Sequence, residues 1–176
     1  MTATQDFITE DPAGREADVM STSIVPTQPP TRSFLRLRLA RHPGRDRLDG
    51  GWWPQSRDLA VELADLVDHF PRESGLIERV VISPSDWDPA PRRIPVARGF
   101  VKVGTFPKND NSHVILLKTP DNRVLRILVV PPGLSASEGD EALLASSISG
   151  NAHSAYDLLQ TVTDHTDAAS ADYWTS

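Results

Sequence analysis

Two apolar runs, His113–Thr119 and Arg123–Val130, are separated only by Pro120, Asp121 and Asn122. Proline presets φ at the start of a turn, and asparagine tolerates the left-handed region. Two strand-like runs with so short a link pair as an antiparallel hairpin. An isolated hairpin is barely stable in water, so this one must be covered by further layers. The rest of the chain must supply that cover.

Order is expected to begin at Ser33. Leu35, Leu37 and Leu39 alternate with Arg36 and Arg38, and period two puts the leucines on a core face. Ser56 reads as a helix N-cap, with Asp58 near the positive end of the dipole. Leu59, Leu63, Leu66, Val67 and Phe70 then fall on one helical face, and Pro71 stops the helix. Leu76–Ser83, with its Val80-Val81-Ile82 centre, suits a buried strand ended by Pro84. Pro84, Pro89, Pro91 and Pro95 mark a loop around Trp87, and Val96–Phe106 is strand-like. Ser135 with Glu138 spells a capping box for a second helix running to about Ser149. Ala155, Tyr156, Leu159 and Val162 mark a third helix over 152–162. The predicted order is β-α-β-β-β-β-α. That is an α+β domain: a mainly antiparallel sheet of about five strands, with two or three helices packed on one face.

Charge divides the chain the same way. Residues 1–31 carry five acids and one base, and Pro12, Gly14, Pro26, Pro29 and Pro30 break any pattern there. They read as a disordered acidic arm, with Met20 as a second possible start. Residues 32–149 read as the single domain, and 150–176 as a short helix with an acidic tail. Residues 32–134 hold seventeen bases and twelve acids, whereas 135–176 hold seven acids and no base. The net charge of −6 thus belongs to the ends, and it does not exclude an anionic partner.

Other classes are disfavoured. There is no cysteine, which removes disulfides, thiolate metal sites and thiol nucleophiles, and points to the cytoplasm. No apolar run approaches the roughly 18 residues of a membrane span, and the first thirty residues lack a signal-peptide pattern. No cofactor signature is present. Histidines 42, 69, 113, 153 and 165 are scattered, and no G-x-S-x-G elbow exposes a serine.

The stretch Asp49-Gly50-Gly51-Trp52-Trp53-Pro54-Gln55-Ser56-Arg57-Asp58-Leu59 resembles the opening signature of an actinobacterial domain family of unknown function. Three further pieces are similar and come in the same order: Leu35-Arg36-Leu37, Trp87-Asp88-Pro89-Ala90-Pro91-Arg92-Arg93, and Leu128-Val129-Val130-Pro131-Pro132. The likeness covers roughly residues 33–148. It implies domain limits and a bacterial origin, and it supplies no catalytic residues.

Three constellations carry chemistry. Trp52, Trp53 and Trp87 lie beside Arg57, Arg92 and Arg93 in sequence. As a site, the indoles would stack on a planar or sugar-like ligand and the arginines would hold its phosphate or carboxylate. As packing, the adjacent tryptophans would point in opposite directions, one of them into the core beneath the first helix. Arg36, Arg38, Arg41, Arg45 and Arg47 form a second cluster able to neutralise phosphates, or a solvated face paired with the chain's own acids. Asp86-Trp87-Asp88 is an acid-x-acid pair, a weak candidate for a divalent metal or for hydrolase or transferase chemistry. The leading expectation is a non-enzymatic binding or regulatory module for an anionic small molecule or a partner protein. The alternatives are an enzyme using Asp86 and Asp88, or a nucleic-acid accessory protein whose acidic tails mask an arginine face.

Overall fold

The hairpin forms as its turn chemistry requires. Asn122 takes a positive φ of 62°, and its N–H donates to the Thr119 carbonyl at 3.1 Å. The Thr119 hydroxyl bonds the Asp121 carboxylate and the Arg123 carbonyl, closing the turn. A computed structural model describes residues 33–107 and 112–171, with side chains described to residue 164. In chain order its elements are β1 (Leu37–Leu39), β2 (Gly50–Trp52), α1 (Leu59–Asp68), β3 (Arg79–Ile82), β4 (Arg93–Val96), β5 (Gly99–Thr105), β6 (Val114–Lys118), β7 (Val124–Val129), α2 (Ala136–Ser147) and α3 (Ala155–Ala171). The expected acidic arm and the Asp172-Tyr173-Trp174 tail lie outside the described residues.

The α+β class holds, but the sheet differs from the expected one. Among the described residues it has seven strands in the order β1-β2-β7-β6-β3-β5-β4, and it is mixed. β2 runs parallel to β7, and β3 runs parallel to β5. Gly50–Trp52 is a strand beyond the expected set, because Asp49 ties it to β7. The buried Asp49 carboxylate accepts the Arg126 amide at 2.8 Å, and the Asp49 amide donates to the Arg126 carbonyl at 2.7 Å. The run 96–106 holds the turn at Ala97-Arg98 and the second strand of a tight hairpin, β4 and β5. The hairpin's first half hides among prolines. Pro95 is tolerated because β4 is the sheet edge, where a missing N–H breaks no ladder. β5 and β6 are neighbours in sequence, yet β3 lies between them. The apolar Val80-Val81-Ile82 run gains a partner on both sides that way.

The helices do not share one face. Strand parity sends Val80, Ile82, Ile115, Leu117, Leu125, Ile127 and Val129 to one side, where α1 packs with Leu59, Leu63 and Leu66. Val114, Leu128 and Val130 point to the other side, against Ala142 and Leu143 of α2 and Leu158, Leu159 and Val162 of α3. Two cores therefore sandwich the sheet. The capping box of α2 is present: the Ser135 hydroxyl accepts the Glu138 amide at 3.3 Å, and the Glu138 carboxylate accepts the Ser135 amide at 2.8 Å. The cap of α1 is Asp58 rather than Ser56, a carboxylate being a better acceptor at the positive end of a helix. It accepts from Ala60 and Val61, while the Ser56 hydroxyl donates to the buried Glu62 carboxylate at 2.8 Å. α3 starts three residues later than expected and runs longer, with Tyr156 exposed rather than buried. No described helix is long and apolar enough to cross a membrane.

Candidate functional site

α2 lies over β1, β2 and β7, so its cover ends part-way across the sheet. On the same side, β3, β5 and β4 present Arg79, Val81, Lys102, Gly104, Arg93 and Phe100. The register brings the charged members of this set into line. Arg93 stands opposite Lys102, Lys102 opposite Arg79, and Arg79 opposite Lys118. Four cations thus form one row across β4, β5, β3 and β6. With strands about 4.8 Å apart the row is about 14 Å long. Arg79, Lys102 and Arg93 are exposed, and Lys118 is half-buried. None of the four has an ion-pair partner among the described residues. Arg126 of β7 lies on the same face, one step along. The Arg93 guanidinium carbon sits 4.7 Å from the ring centroid of Phe100, which stays 48% exposed.

Like charges directly opposite one another on adjacent strands are destabilising. Three such pairs follow in succession across the register, without an acid between them. Each of these residues interrupts or ends a strand that is otherwise largely apolar, which is the only trace of the row in the sequence. Which cation faces which depends on β3 standing between β5 and β6, and no local pattern shows that.

The sequence-predicted sites are distributed differently. Trp52 is 1% exposed and Trp87 4%, and their rings stack at 5.4 Å between centroids and 28° between planes. Trp53 is 5% exposed and points into the opposite core. Its Nε1 donates to the Pro131 carbonyl at 3.1 Å, and its ring lies against Gly139 of α2. Buried indoles of this size contribute roughly 4–6 kcal/mol each as an upper figure. The tryptophans are therefore packing, and the expected stacking surface is not open.

Arg36 serves that packing. Its guanidinium carbon lies 3.7 Å from the Trp53 ring centroid, and Nε and Nη2 donate to the carbonyls of Trp53 and Pro54 at 3.0 and 2.9 Å. Burial pulls its pKa below the ordinary arginine value, opposed by the Glu62 and Asp140 carboxylates. It is not a free anion contact. Arg38, Arg41, Arg45 and Arg47 are exposed on β1 and the loop after it. Arg57 donates to the Ser85 carbonyl at 2.9 Å and faces Asp88 at 3.6 Å, an exposed pair worth little.

Arg92 lines a cleft of about 510 Å³ with Trp87, Pro89 and Pro91. The cleft opens where the parallel strands β3 and β5 end, at Ile82 and Thr105. Of the six tryptophan–arginine candidates, Arg93 alone joins the cation row.

Asp86 and Asp88 engage different partners. The Asp86 carboxylate is buried, accepts the His113 amide at 2.7 Å, and lies 3.5 Å from the His113 imidazole. His113 holds a positive φ of 61° there. Burial raises the Asp86 pKa, offset in part by His113, then by Arg57 and the Ser85 hydroxyl. This contact clips the loop after β3 to the start of the hairpin. No cluster of three metal-ligating side chains occurs among the described residues.

Residues 36–146 match the model described as "Family of unknown function (DUF5994)". The chain belongs to this family. The DUF5994 match runs from Arg36, just before β1, to near the end of α2, so it contains all four cations, Trp52, Trp53, Trp87 and Gly139, and stops before α3. No curated protein and no solved structure gives a significant match.

Proposed function

We propose that this chain is a binding module rather than an enzyme, and that its working surface is the basic half of the sheet, which α2 leaves open. The partner carries several negative charges. The cation row Arg93-Lys102-Arg79-Lys118 supports this reading, because it places like charges in register where alternating signs would favour folding. The reading keeps the anionic partner expected from the arginine content and moves the site from the tryptophan loops to the sheet.

The test is binding of fluorescently labelled heparin, a generic polyanion, by anisotropy at low and high salt. Saturable binding that weakens with salt is expected. An Arg79→Glu/Lys102→Glu double variant should lose roughly tenfold or more at low salt. Absence of saturable binding by the wild type, or a double variant that binds equally well, refutes the reading.

A further inference from the structure

We infer that the basic half-sheet takes a single-stranded nucleic acid, its phosphates on the cation row and a base on Phe100. This rests on the anion-binding reading above and names its partner. Surfaces that hold single strands combine a positive track for the backbone with an aromatic platform for bases. Both are on this face. Arg79, Lys102 and Lys118 supply a track without ion-pair partners among the described residues, and Phe100 stands beside it, nearly half exposed, on the strand that carries Lys102. Arg93 belongs to both parts, since it ends the row and lies over the Phe100 ring. A guanidinium so placed covers that face of the ring, so the base stacks on the guanidinium plane that Phe100 backs, while the edge donors of Arg93 face a phosphate.

The shape of the face selects against a duplex. A duplex is read by an element that enters a groove, a helix or a two-stranded ribbon. Here the cations lie on the face of the outer half of the sheet, from Lys118 on β6 through Arg79 on β3 and Lys102 on β5 to Arg93 on the edge strand β4. A single strand laid flat across the strands reaches all four without any element having to enter a groove. About 14 Å of track suits a few nucleotides, at the short end of the range for sheet-based binders.

The experiment measures anisotropy of labelled twelve-residue oligothymidylate and oligouridylate with the full chain. Duplex DNA of equal phosphate number and inorganic polyphosphate serve as controls. At least one single strand should bind more tightly than the duplex. Its log–log salt slope should be about −3, as expected for four phosphates neutralised on a single strand. Phe100→Leu should weaken oligonucleotide binding about five- to hundredfold and leave polyphosphate binding unchanged. Lys102→Gln should weaken both, and circular dichroism checks that each variant is folded. If polyphosphate binds but Phe100→Leu leaves oligonucleotide binding intact, or if the duplex binds more tightly, the face takes an anion that is not a single strand, and this inference alone falls. If neither polymer binds at low salt, the anion-binding reading falls with it.

Discussion

Gly139 shows how one missing side chain lets a helix settle on the sheet. A Cβ there would be driven into the Trp53 ring, which is itself held by the Arg36 guanidinium and the Pro131 carbonyl. Gly139→Ala should therefore destabilise the domain by about 1–2 kcal/mol, even though alanine is the better helix former. Urea denaturation checks this, and a rise in the midpoint would mean that the indole can move aside. Asp86 supplies a second residue-scale prediction. Its folded pKa is raised above the ordinary 3.8 by burial. The protonated form is the favoured one, so its stabilising effect is fully present below 3.8 and is lost as pH rises through the raised folded value. Asp86→Asn cannot ionise and keeps an acceptor for the His113 amide. The stability of wild type relative to Asp86→Asn should fall across that window. A difference that stays flat or rises in denaturation curves taken through it would show that the folded Asp86 pKa is not raised.

At the scale of elements, the cation row is a cost to folding that a partner would relieve. Lys102 stands between Arg93 and Arg79, so Lys102→Glu converts two repulsive pairs into attractive ones. The variant should gain about 0.5–2 kcal/mol, seen as a rise of a few degrees in Tm, while binding to polyanions falls. Added salt should stabilise the wild type more than the variant, because screening removes repulsion only where it exists. A variant no more stable than wild type would mean that the side chains splay enough to ignore one another. The same elements show what the sequence could and could not tell. The hairpin, the α2 capping box and the apolar face of α1 are local patterns, and each was legible. The adjacent tryptophans were legible as a question: Trp52, the last residue of β2, and Trp53, just after it, had to point to opposite faces, and both faces proved to be core. The sheet order was not legible, because β3 is placed between β5 and β6 by contacts far apart in sequence. β4 was hidden by Pro91 and Pro95, which argue against a strand everywhere except at an edge. The site went with them, since the row exists only in that register.

At the scale of the whole molecule, an acidic chain is asked to bind an anion. The charges that oppose binding lie mostly outside the face itself: residues 1–31 hold five acids and one base, and residues 135–176 hold seven acids and no base. The second group cannot be removed cleanly. Ala155, Leu158, Leu159 and Val162 of α3 are buried against the sheet, so cutting at residue 150 would open a core. The first group can be removed, because residues 33–176 form a compact unit of their own. Deleting residues 1–31 takes four negative charges from a net −6. No docking of that segment is needed for an effect, since charge acts across a Debye length of about 10 Å at 0.1 M salt. Oligonucleotide affinity should rise in the deletion variant at low salt. The gain should shrink steadily and vanish near 1 M, where the Debye length is about 3 Å. An affinity unchanged by the deletion at low salt would show that the segment's charge does not reach the sheet. A gain that survives high salt would mean that the segment blocks the face by contact rather than by charge.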